Sequence, residues 1–267
     1  MESPRVPMLA SAGTRAITRT KWWPVGPSVV VQWMVDNREV STPDIHEEQV
    51  ESRYEATVGV GLVIGLQVTL ALVSVDRGWT LIGFPGWVWL IPVVPEAALL
   101  MALALAEPRH RLEQMGRRRT VALALVGVIT AANVLALVAL IASLLSAQEK
   151  SGGELLLKGA TIWGTNVMTF GLLFWEVDCG GPIRRREPDP PPHDFQFPQD
   201  ENPTLAEGDW HPRLADYVYV SFTNAIAFSP TDAMPLTRRV KTMMLAESAI
   251  SATTVLLVAA RAVNILR

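Results

Sequence analysis

The residues that could do chemistry in this chain are few, and most sit among apolar neighbours. Glu96, Glu176, Asp178, Glu247 and Arg261 interrupt or border long hydrophobic runs. An ionisable group within such a run is a functional candidate by default, because removing its charge from water is costly. A second group follows a mostly apolar stretch of 15 residues, Leu214 to Phe228: Ala227, Phe228, Ser229, Pro230, Thr231 and Asp232. Hydroxyls and a carboxylate placed behind a short apolar helix are the groups that line and flank ion paths. His193, Asp194, Asp209 and His211 are the types that ligate metals, but they lack the i, i+4 pairing of metalloprotease helices and lie in a Pro-rich loop. No metal site is expected. Ser221, Ser229 and Ser248 have no histidine within the apolar runs to activate them. No glycine-rich loop offers a phosphate cradle. Neither an enzyme nor a cofactor is expected.

The elements that must position these groups follow from composition. Of 267 residues, 49% are hydrophobic and 18% are charged, against about 25% charged in a typical soluble domain. The apolar residues gather in five runs, 56–75, 80–106, 121–145, 155–175 and 240–266. Each reaches the roughly 20 residues needed to cross a bilayer. This excludes a soluble globular enzyme. A net charge of −3 excludes a polyanion partner such as nucleic acid. A single cysteine, Cys179, excludes an intrachain disulfide. The expected fold is an all-α membrane protein with five transmembrane helices plus a re-entrant, pore-type half-helix and loop.

Residues 1–54 read as a polar tail with a pre-membrane helix. Thr42 is placed to cap that helix and Pro43 to occupy its first turn, and the helix continues through Glu55 into the first span. Residues 55–154 form a three-helix peripheral membrane domain. In its first span Gly61 and Gly65 stand four apart, a spacing that lets helices approach closely. Pro85, Pro92 and Pro95 should kink the second span, and the third carries a lone Asn133. Residues 155–267 divide into an outer helix (155–175), a loop (176–213), a re-entrant segment (214–237) and an inner helix (240–266). Glu176 to Pro182 stops the outer helix with acids, two glycines and a proline. Prolines 188, 190, 191 and 192 favour an extended path for the loop, and Phe195, Phe197 and Trp210 should dock it.

Arginine asymmetry gives an orientation. The segments between spans 2 and 3 and between spans 4 and 5 hold 12 basic residues. The opposite side offers Arg77, Lys150, Lys158 and Arg267. The positive-inside rule therefore puts the N-terminus and both basic loops in the cytoplasm.

The run Ser221–Thr237 resembles, without gaps, the pore module of tetrameric potassium channels. Ser221, Ala225, Asp232, Pro235 and Thr237 match the pore helix, the acid after the filter and the outer Pro-x-Thr. The resemblance covers about 155–267 and implies a homotetramer around a central axis. The filter departs from the family. Where the family reads Thr-Val-Gly-Tyr-Gly-Asp, this chain has Ala227-Phe228-Ser229-Pro230-Thr231-Asp232. Ala227 lacks the innermost hydroxyl, Ser229 and Thr231 replace glycines, and Pro230 fixes its own φ. The ring of carbonyls that selects potassium is not expected. The family's loop enters from outside, whereas the arginine count puts this one inside, as in ionotropic glutamate receptors; the arginine count is given the greater weight. The same block, with Ala259 to Leu266, also resembles a family of uncharacterised bacterial polytopic membrane proteins.

For the charged candidates two readings each stand open. Glu96 is a gating or proton-sensing acid, or is bonded to a carbonyl freed by the proline kink. Glu247, on one face with Ser251 and Thr254, lines or braces the space behind the loop, or reaches the interface. Arg261 snorkels to headgroups or acts as a gate. Glu176 and Asp178 sit at the interface, either pairing with Arg238 or Arg239 or serving as polar groups of the helix end. The expectation is an ion-channel-like, multi-pass protein of the bacterial inner membrane, weakly selective for monovalent cations. The alternative is a non-conducting scaffold or sensor that retains the architecture. Its expected partners are membrane lipid and copies of itself.

Overall fold

A computed structural model describes residues 45–81, 83–105, 111–146, 151–186, 189–202, 204, 210–229 and 232–265. Thr42, Pro43, Lys150, Asp209, Pro230, Thr231 and Arg267 lie outside the described residues. The chain is mostly helical. Helix α1 (Ile45–Asp76) runs unbroken through Glu55. A two-residue hairpin follows, β1 (Thr80–Leu81) with β2 (Phe84–Pro85), and then a 3₁₀ turn over Gly86–Leu90. The remaining long helices are α2 (Val93–Leu105), α3 (Arg111–Leu145), α4 (Gly152–Val177), α5 (Leu214–Ala227) and α6 (Arg238–Ile265). Between α4 and α5 lies β3 (Phe195–Gln196), which pairs with β4 (Met234–Pro235) on the way to α6.

Among the described residues, three helices are long and apolar enough to cross a membrane: Tyr54–Asp76, Gly116–Leu145 and Arg238–Arg261. The other two expected spans take different forms. The run 80–106 is no single kinked helix. Gly83 adopts φ +81° in the hairpin, and regular helix begins only after Pro85 and Pro92, at Val93, with Pro95 accommodated in the first turn of the 13-residue α2. The run 155–175 is helical throughout, but α4 is not among those three and is enclosed by protein. It packs against α1, α3, α5 and α6. Thr161, Thr165, Asn166, Thr169 and Glu176 are all buried along it. A lipid-facing helix must be greasy, whereas an enclosed one can bury polar groups that find partners.

The close contacts within the bundle are not where the glycine spacing pointed. A side chain at Gly61 or Gly65 would meet nothing within 4 Å, so that pair seats no neighbour. A tight helix crossing is at Gly171 of α4, where a Cβ would come within 2.8 Å of the Val218 side chain and 2.9 Å of its Cα. Gly171→Ala must push α4 and α5 apart. We expect a loss of about 1–3 kcal/mol, read as a lower unfolding midpoint of the detergent-solubilised protein.

The main core lies where α1, α3, α4, α5 and α6 meet, with Val63, Ile129, Phe170, Phe174, Tyr217 and Val240 at its centre. The loop after α4 joins it. Phe195 and Phe197 stack edge-on against Phe174, Tyr217 and Trp210 at 5.3–5.6 Å. Proline density thus sets the loop's path, and its aromatics anchor it.

Candidate functional site: a half-helix tied at both ends

Helix α5 has 14 residues, about 21 Å of rise. Its first turn is closed by Asp216, whose carboxylate accepts from the Arg213 backbone N–H at 2.7 Å. It runs antiparallel to α4. The Tyr217 hydroxyl donates to Asp178 at the end of α4 (2.5 Å), Ser221 Oγ meets the Val167 carbonyl (2.7 Å), and the Phe222 ring reaches Trp163 (5.6 Å). The helix stops at Phe228, which adopts φ +55°, ψ +30°. This left-handed conformation is uncommon for a bulky residue. By β4 the chain is back beside Asp194. The Leu236 N–H donates to the Asp194 carbonyl (2.8 Å), and Arg239, opening α6, donates to the Val177 carbonyl (3.2 Å). The segment from Arg213 to Arg239 therefore begins and ends at the Asp178 end of α4, with its turn at Phe228 part-way along the bundle.

Two polar constellations hold it there. The first is at the Asp178 end. Asp178 Oδ1 accepts from the Asp194 and Phe195 backbone N–H groups at 2.7 and 3.2 Å, while Oδ2 accepts from Tyr217 and pairs with Arg185 Nε at 3.4 Å. Arg185 also donates to the Trp175 carbonyl (2.7 Å) and the Pro212 carbonyl (3.3 Å), and its guanidinium lies 4.9 Å from the centre of the Tyr217 ring. Asp194 joins the return strand to α6: it accepts from Thr237 Oγ1 at 2.6 Å and pairs with Arg239 at 2.5 Å. The partner of Arg239 is thus Asp194, and neither Glu176 nor Asp178. Glu176 is buried beside them, within the field of Arg118, Arg119 and Arg185.

The second constellation is a seam through the bundle. Glu247 has no exposed surface. Its carboxyl contacts Ser221 Oγ and accepts from Asn224 Nδ2 at 2.7 Å. Asn224 also donates to the Met244 carbonyl (3.0 Å), and Asn166 of α4 donates to the Glu247 carbonyl (3.1 Å) and to Ser251 Oγ (2.9 Å). Glu247 therefore braces α5 from behind; it neither lines an opening in the single chain nor reaches the interface.

The remaining expected site residues are dispersed. Ala227, Phe228, Ser229 and Asp232 are exposed in the single chain, and Pro230 and Thr231 lie outside the described residues. Glu96 is completely buried, but its partner is the Gln67 side-chain amide (3.0 Å), not a carbonyl freed at a kink. It sits in the first turn of α2, where the unpaired N–H groups of a helix start favour a carboxylate. Arg261 is half-buried near the far end of α6.

Among the described residues one group has the makings of a metal site. Oxygen, sulfur and nitrogen atoms of Asp178, Cys179 and His193 lie within 4.8 Å of one another, with Cys179 Sγ 3.2 Å from His193 Nδ1. The donors do not fit an ion. Both Asp178 oxygens are already occupied by donors, and the Arg185 cation adjoins them. Burial, reinforced by the Asp178 carboxylate, pushes the Cys179 thiol up to about 12, so it keeps its proton near neutrality and is a poor ligand or nucleophile. His193 and Asp194 face different partners.

Arg185, Tyr217 and Asn166 were not singled out by sequence, and Asp194 was considered there only as a metal ligand. Arg185 reads as one of three loop arginines, and only the burial of a neighbouring acid separates it from Arg184 and Arg186. Comparison of the chain with protein-family models, with curated proteins and with solved structures gives no match.

Proposed function

We propose that residues 155–267 form the pore module of an ion-channel-like integral membrane protein. It assembles as a homotetramer in the bacterial inner membrane and is weakly selective for monovalent cations. The observation that carries this reading is the path of the 213–239 segment: a 14-residue helix, a turn at Phe228, and a return to the end where it started. Irregular backbone at membrane depth is tolerated only against protein or a wet cavity. The exposed position of Ala227, Phe228, Ser229 and Asp232 asks for neighbouring copies. In this reading α4 is the outer helix, α6 the inner helix, and Asp232 the acid at the pore mouth.

The test is cation flux into liposomes carrying the purified protein. Flux of potassium and sodium at comparable rates is expected. Asp232→Asn should lower cation flux by about an order of magnitude at low ionic strength and less at high salt, because four mouth charges concentrate cations only where they are unscreened. Sealed liposomes under every condition would replace this reading with the non-conducting scaffold.

A further inference from the structure

We propose that the peripheral half of the bundle holds a binding site for a lipid-soluble ring compound bearing a carbonyl. The site is a cavity of about 480 Å³ enclosed by α1, the 3₁₀ turn, α2, α3 and α4. Its size falls in the range of small-molecule sites. Its wall is almost entirely hydrocarbon, so the body of the occupant is apolar. Ile91 and Leu135 border it and keep 57% and 68% of their surface exposed. The cavity therefore reaches the outer face of the bundle, the face a lipid-dissolved molecule would approach.

One group makes this more than a greasy gap. Asn133 borders the cavity, is only 6% exposed, and makes no hydrogen bond among the described residues. A mid-helix asparagine in a membrane protein ordinarily bonds across to a neighbouring helix. Left unpaired, a buried amide costs about 1–3 kcal/mol. Gln67, Trp89 and Thr165 border the same cavity, and Gln67 Oε1, Trp89 Nε1 and Thr165 Oγ1 are also buried without a partner. A bare acyl chain would fill the volume and leave the Asn133 amide unsatisfied. A ring carbonyl set against the Asn133 amide N–H accepts a hydrogen bond while the ring meets the apolar wall. This site is separate from the 213–239 segment and does not rest on the channel reading.

The experiment is equilibrium dialysis of the full chain in nanodiscs of synthetic phosphatidylcholine, with empty nanodiscs subtracted. Two probes share one ring body: 2-methyl-1,4-naphthoquinone, which has carbonyls, and 2-methylnaphthalene, which has none. Saturable binding of the quinone is expected, tighter than that of the hydrocarbon by about tenfold, the worth of one hydrogen bond in an apolar site. Asn133→Leu should erase that preference while leaving the hydrocarbon's affinity unchanged, and Ala132→Phe, which fills the cavity, should weaken both probes. Absence of saturable binding, equal affinity for the two probes, or a preference that survives Asn133→Leu would each overturn the proposal.

Discussion

Asp178→Ala is expected to be the most damaging single substitution in the chain, costing about 3–5 kcal/mol, the range for removing one partner of a buried ion pair. Three separate pieces of chain lose their common acceptor at once. Tyr217 loses the bond that seats the start of α5. The Asp194 and Phe195 N–H groups lose the acceptor that docks the loop. Arg185, 6% exposed, keeps its charge with no carboxylate beside it. The measurement is the unfolding midpoint in detergent, together with elution as a single species on size exclusion. Arg185→Leu alone should also be costly, and the double substitution should cost less than the sum of the two, because the second change removes a charge that the first had stranded. A midpoint for Asp178→Ala no lower than that of the exposed Asp232→Asn would show that the Asp178 cluster is dispensable.

Glu247 gives the second large effect, and the chemistry of the replacement decides its size. Ser221 has one hydroxyl proton but two acceptor neighbours, the Val167 carbonyl and the Glu247 carboxyl. If Ser221 donates to the carbonyl, the side chain at 247 must donate to Ser221 while accepting from Asn224. Glutamine can do both, through its N–H₂ and its carbonyl oxygen. Glu247→Gln should therefore leave the unfolding midpoint within about 0.5 kcal/mol of the parent, the range of a substitution that removes no named interaction. Leucine can do neither. Glu247→Leu strands Ser221 and one Asn224 contact in a buried seam, and a loss of about 2–4 kcal/mol is expected. Under the channel reading it should also lower flux in the folded fraction, since α5 then lacks its brace. Equal midpoints for the glutamine and leucine variants would rule out a hydrogen-bonding role for Glu247.

The legible parts of this protein were those governed by one-dimensional pattern. Runs 56–75, 121–145 and 240–266 overlap the three helices that, among the described residues, are apolar enough to cross a membrane, because lipid exposure demands hydrocarbon along the whole length. The segment 214–228 is too short to cross and carries a breaker after it; it forms a 14-residue helix whose flanks return to one end of α4. The run 80–106 misled because apolarity says nothing of regularity. Pro85, Pro92 and a left-handed Gly83 divide it into hairpin, turn and short helix. Gly61 and Gly65 misled for a related reason: spacing on one helix does not disclose which face has a neighbour, and a close crossing fell at Gly171 instead.

Hydrophobic composition alone determined which runs are long and apolar enough to cross a membrane and where helix can persist. Only the tertiary structure decided which polar residues matter. Asp178 meets Tyr217 across 39 positions, and Asn166 meets Ser251 across 85. Hydrogen bonds reach only about 3 Å, so partners that far apart in the chain are chosen by how the helices come to lie side by side, and no local pattern records that.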